Sequence, residues 1–199
     1  MSDPRLARTR AAILDAATDA MEAGPLDEIT ISALVERAGV SRPSFYQHFG
    51  DLPTVFRDAA FLRLQDRFER IRPPVFESVD EWAAFLRATV DDLLTHLHEH
   101  AVFYHRALHG PSGRELSALA VGYLSTRILE HSPLGTRIPR DAALRPEDRV
   151  AAIAAGTVWI ITDWLGSDFS GHDAVVAMTD RIAALLITLS GAEPEALRS

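Results

Sequence analysis

The chain has 199 residues, a formal net charge of −8 and no cysteine, and all twenty of its basic residues are arginine. The length allows one large or two small domains. The absence of thiols excludes disulfides, thiolate nucleophiles and Cys-based zinc sites, and the acidic balance argues against non-specific coating of nucleic acid. No apolar run reaches the ~18 residues of a membrane span, and Met1 to Arg10 is arginine-rich without the apolar core of a signal peptide. A cytoplasmic protein with no membrane partner is expected.

Apolar residues recur at helical spacing nearly throughout, without sustained period-two alternation, so the expected fold is all-α. A first helix spans about Pro4 to Ala23, with Pro4 in the first turn, Ile13, Ala17 and Met21 on one face, and Gly24-Pro25 as the stop. Thr30 is placed to cap a short second helix reaching Arg37, with Ile31, Leu34 and Val35 facing inward. Ala38-Gly39-Val40 then turns the chain, Gly39 supplying a backbone angle that a Cβ resists. Ser41 caps a third helix, Pro43 sits in its first turn where no amide hydrogen is needed, and the helix ends near Phe49-Gly50. Asp51 caps a longer fourth helix that Pro73-Pro74 terminates. Two short helices about a glycine turn, behind a supporting helix, read as a helix-turn-helix.

Further on, Ser78-Val-Asp-Glu81 has the spacing of a capping box, and the helix after it carries an apolar stripe of Trp82, Phe85, Leu86, Val90, Leu93 and Leu97. Shorter helices are expected over Ala101 to Leu108 and Arg114 to Glu130, followed by an exposed loop from Ser132 to Pro146. The last two helices are the most hydrophobic. Their stripes are wider than one neighbour covers, which points to self-association into a four-helix bundle as a homodimer, the commonest oligomer. The expected interface is Val150, Ile153, Thr157, Ile161, Trp164, Val175, Thr179, Ile182, Leu186 and Leu189.

The segments ILDAATDAMEAG (from Ile13) and TISALVERAGVSRPSFYQHFGD (from Thr30) together resemble the TetR family, the tetracycline-repressor-like transcriptional regulators of bacteria. About fifty residues carry the resemblance, through the Thr-started second helix, the Ala-Gly-Val-Ser turn and the closing Tyr-x-His-Phe. The remainder is similar in architecture only. The resemblance implies residues 1–50 as a DNA-binding domain and 51–199 as a helical effector-binding and dimerisation domain, with helix 51–72 connecting them. It further implies a homodimer reading a palindromic double-stranded operator and released by a small-molecule effector. One departure is Leu52, which stands where the family usually has a phosphate-contacting lysine; Arg57 or the free amides near Asp51 are the candidates to replace it.

Candidate DNA contacts divide into positioning and reading groups. Thr30 and Ser41, at helix starts, and Tyr46 and His48, with polar tips, suit phosphate or sugar. Arg42, Pro43, Ser44 and Gln47 occupy the part of the recognition helix that enters the major groove, where Arg42 can pair with guanine and Gln47 with adenine. Phe45 and Phe49 read as core. Arg5, Arg8 and Arg10 suit either an arm reaching DNA or a solvated tail. Up to Arg57 six arginines face eight acidic residues, a local charge of −2, so any attraction to DNA must come from position.

His96/His100 and His105/His109 have the i, i+4 spacing that can share a metal. Glu99 is the one carboxylate at ligand spacing and His98 projects to another face, so surface or pocket polarity is favoured and no metal or cofactor is assigned. No phosphate loop, nucleophile elbow or compact acid/base pair suggests catalysis. An effector pocket is expected among Phe61, Trp82, Phe103, Tyr104, Tyr123, Trp159 and Asp163. The competing reading is a metal-binding or catalytic helical protein with a vestigial helix-turn-helix.

Overall fold

A computed structural model describes residues 4–131, 145–167 and 172–189. Among these, nine α-helices and no strand form: α1 (Pro4–Ala23), α2 (Ile31–Arg37), α3 (Arg42–His48), α4 (Leu52–Glu69), α5 (Val79–Glu99), α6 (Ala101–His109), α7 (Gly113–His131), α8 (Pro146–Gly166) and α9 (His172–Leu189). The all-α architecture is as expected. Most of the loop expected over Ser132 to Pro146 lies outside the described residues.

The chain packs as two compact units, one from residues 1–66 with 100–117, the other from 67–99 with 118–199. Residues 100–117 therefore group with the N-terminal helices, and the packing units do not coincide with the functional division drawn at residue 50. Polar ties within the first unit give the reason. Arg106 on α6 donates through Nη1 to the carbonyls of Met21 (2.6 Å) and Glu22 (3.2 Å), the otherwise unbonded C-terminal end of α1. Arg63 on α4 pairs with the Glu22 carboxylate at 2.6 Å and lies 2.8 Å from His100 Nδ1, with its guanidinium 4.8 Å from the centre of the Phe103 ring. Beneath these, Ile13, Leu14 and Met21 of α1, Leu34 of α2, Phe45 of α3, Val55 of α4 and Phe103 of α6 are almost fully buried.

In the second unit, α9 packs along α5. Arg87 donates to Asp180 at 2.7 and 3.0 Å, the hydroxyl of the fully buried Thr179 donates to Asp91 at 3.1 Å, and His98 stacks on Trp164 with ring centres 6.2 Å apart. The apolar stripes of α8 and α9 are consumed by this packing. Val150, Ile153, Thr157, Trp164, Val175, Thr179, Ile182 and Leu186 are all buried within the chain itself, Ile161 is half-buried, and Leu189 is exposed. The buried eight thus belong to the core of the protomer, which corrects their assignment to a free dimer face. The outer face of α8 instead presents Ala151, Ala152, Ala155, Trp159 and Asp163, with Trp159 72% exposed.

Two boundaries differ from expectation. Helix α4 ends at Glu69, short of Pro73, and unwinds through three-residue turns from Arg70 and Ile71 to the carbonyls of Arg67 and Phe68. At the start of α5, Ser78 Oγ accepts from the Glu81 amide (3.1 Å) as a capping box requires, but the Glu81 carboxylate reaches back to the amide of Glu77 (2.9 Å) rather than that of Ser78.

Replacing Arg106 with methionine keeps the apolar stem and removes both bonds to α1. The expected loss is about 1–2 kcal/mol, a fall in Tm of about 2–8 °C followed by circular dichroism; an unchanged Tm would mean that these bonds do not hold α6 to α1.

Candidate nucleic-acid interface

Three local devices set the two short helices. Thr30, in extended geometry, accepts the Ala33 amide on its hydroxyl at 3.2 Å and so caps α2. Helix α2 closes in a Schellman turn: the Gly39 amide bonds the Glu36 carbonyl (3.1 Å), the Val40 amide bonds that of Val35 (3.0 Å), and Gly39 takes φ +65°. Ser41 caps α3 by accepting the Ser44 amide at 3.2 Å, its hydroxyl lying 2.8 Å from that of Ser44, while Pro43 sits in the first turn.

The seven-residue α3 has two distinct sides. Phe45 is fully buried and Phe49, just past the helix, is 97% buried, with ring centres 6.0 Å apart. On the other side Pro43, Tyr46 and Gln47 are exposed, Tyr46 by 58%, while Arg42 is exposed at the helix start one turn before Phe45, and Thr30 and Ser41 are also at the surface. Ser44 is half-buried beneath its bond to Ser41. His48 is half-buried too, and its Nε2 is enclosed without a hydrogen-bond partner among the described residues, so that nitrogen does not face solvent.

The arginines are differently engaged. Arg42 donates to the hydroxyl of Ser32, a neutral partner on α2 that the sequence reading missed. Arg57 and Arg10 both pair with Asp58, at 2.6 and 2.7 Å, and Arg10 also lies over the Phe49 ring at 5.4 Å. Arg37 pairs with Asp19 at 3.0 Å. Arg57, a candidate substitute for the lysine missing at Leu52, is thus half-buried and neutralised by a carboxylate. Arg5, Arg8 and Arg10 lie on α1, which begins at Pro4, so they belong to a helix and not to an extended arm; Arg5 and Arg8 share a face from which Arg10 is turned away.

At the start of α4, Asp51 accepts the Thr54 amide at 2.9 Å. Its hydrogen bonds from Thr54, followed by the nearby Arg57 charge, hold its carboxyl below the usual carboxylate range. The cap therefore contributes fully above the unfolded value near ~4 and is lost as pH falls through the lowered one.

The seven pocket candidates are divided between the two units. Phe61, Phe103 and Tyr104 belong to the first unit, and Trp82 and Tyr123 to the second. Trp82, Phe103 and Tyr104 are buried; Phe61 and Tyr123 are half-buried. Tyr123 meets Phe68 edge-on at 5.6 Å, and burial pushes its hydroxyl above the ordinary tyrosine value. Trp159 and Asp163 are exposed on α8, a correction to their placement in an internal pocket. At 100° per residue they fall opposite the buried Val150, Ile153 and Thr157.

Residues 13–51, from Ile13 in α1 to the Asp51 cap, match the family model of bacterial regulatory proteins, tetR family. Over this stretch the chain is similar to the TetR family. The matched segment holds the helix-turn-helix made of α2, the Gly39 turn and α3. Its fold is similar to the crystal structure of a candidate TetR-family transcriptional regulator from Mesorhizobium loti MAFF303099, with a TM-score of 0.55 over 94% of this chain and 97% of that one, at 15% identity. No curated protein matches the chain. Among the described residues, no helix is long and apolar enough to cross a membrane.

A side chain at Gly39 would have to adopt φ +65°. Gly39→Ala should cost about 1–2 kcal/mol, read as a lower urea midpoint with unchanged slope; equal midpoints would show that the turn relaxes without strain.

Proposed function

We propose that this protein is a ligand-responsive repressor that binds a palindromic operator as a homodimer and releases it when a small molecule binds the helical region after residue 50. One observation carries the DNA-reading part: α3 is anchored by a fully buried Phe45 while Pro43, Tyr46 and Gln47 stand exposed on its other side and Arg42 is exposed at its start. Arg42 and Gln47 would read base edges, with Thr30, Ser41, Ser44 and Tyr46 positioning the helix on phosphate or sugar. His48 would contribute only after a ring rotation that exposes Nε2, or through Nδ1. Arg42 would exchange the neutral Ser32 hydroxyl for a guanine, at little electrostatic cost. At Leu52 the amides of the α4 start would be the remaining phosphate donors.

Arg42→Ala is expected to weaken binding to the DNA upstream of the protein's own gene and to flatten discrimination at one base pair by about 1–3 kcal/mol. Tyr46→Phe should weaken binding to every sequence alike. Fluorescence anisotropy titrations of both variants against matched and mutated sites test this, and wild-type affinity in both would sink the assignment.

The homodimer would be built on the outer face of α8, where Trp159 stands exposed among Ala152, Ala155 and Asp163. Small residues permit close helix approach, and an aromatic anchor supplies buried area. Trp159→Glu is expected to shift sedimentation from dimer to monomer without changing the helical content; a dimer that persists would place the interface elsewhere.

A further inference from the structure

The sequence offers two histidine pairs at i, i+4, and the structure separates them. Helix α5 stops at Glu99, and His100 leaves helical geometry at φ −115°, ψ 31°, with Nδ1 taken up 2.8 Å from Arg63. The spacing of His96 and His100 therefore does not place them on one helical face. His105 and His109 lie one turn apart within α6. Both are exposed, and their rings stack with centres 4.3 Å apart and planes at 24°.

The orientation of His109 is also set. Its Nδ1 lies 3.1 Å from the His105 carbonyl oxygen. A carbonyl only accepts, so Nδ1 carries the hydrogen and Nε2 presents its lone pair. Metal-bound histidines are held in the same manner, with the second ring nitrogen donating to a carbonyl or carboxylate.

We propose that His105 and His109 chelate one divalent transition-metal ion of the Zn²⁺, Ni²⁺ or Cu²⁺ class, for which imidazole is a suitable ligand. Two metal–nitrogen bonds of about 2.0–2.1 Å bring the ligand nitrogens to about 3 Å from each other. Side-chain rotation of the two exposed, stacked rings would bring their nitrogens to that separation. Among the described residues no group of three or more His, Asp and Glu could hold a metal, so water completes the coordination and the ion is exchangeable. The chelate spans the turn that contains Arg106, whose guanidinium bonds the end of α1. Metal binding would therefore brace α6 where it is tied to the first DNA-binding helix.

The test is calorimetric titration of the full chain with NiCl₂ and CuCl₂, with thermal unfolding in parallel. Expected is one ion per chain at this site, with a raised Tm. His105→Gln and His109→Gln, both at exposed positions, should each weaken that binding by at least about tenfold, while the double variant His96→Gln/His98→Gln keeps it. No binding by the wild-type chain, or wild-type binding by His105→Gln or His109→Gln, would overturn the proposal. So would loss of the ion in the His96→Gln/His98→Gln variant.

Discussion

Burial of the Phe45 ring is the interaction on which the placement of α3 in the helix-turn-helix depends. Helix α3 has seven residues, well below the length at which an isolated helix persists in water. Phe45 has no exposed surface and Phe49 almost none, and full burial of one such ring contributes about 1.5–3 kcal/mol. Positions four apart share a side of a helix, so anchoring through 45 and 49 leaves 43, 46 and 47 turned away, while Arg42, one turn before Phe45, is exposed at the helix start. The Ser41 cap and the Gly39 turn then set where the helix begins and the angle at which it leaves α2.

Charge is handled locally. The chain is acidic, and around α3 Arg37 pairs with Asp19 while Arg10 and Arg57 share the single carboxylate of Asp58. Such exposed or half-exposed pairs contribute little stability, but they restrain the side chains that make them. Arg42 differs in being bonded to a neutral hydroxyl.

The far end of α1 has its own organisation. Its last carbonyls receive Arg106 from α6, while Glu22 receives Arg63 from α4, and His100 lies within 3.3 Å of that same carboxylate. Two helices of the first unit, α4 and α6, thus converge on the end of α1 through charged groups, whereas α2 and α3 meet it through apolar ones. A change in α6 would be felt by α1 through a small number of directional bonds.

What could be read from the sequence was what depends on neighbouring residues. The limits of α1, the Thr30 and Ser41 caps, the left-handed Gly39 and the inward Phe45 follow from local sterics, orphan amides and helical periodicity, all of which operate within a few residues. What could not be read was which partner covers each face. Periodicity places Val150, Ile153 and Thr157 on one side of α8, but whether that side meets another copy or the chain's own α5 and α9 is a matter of packing between distant segments. The same holds for Trp159, which an aromatic side chain suggests is internal and the helix rotation turns outward. His100 was indistinguishable from a metal-pair partner until the break after Glu99 and the reach of Arg63 claimed it. The sequence by itself determined the helices and their caps, because those are short-range; only the tertiary structure decided which apolar and charged surfaces remain open, because that depends on groups brought together from tens of residues away.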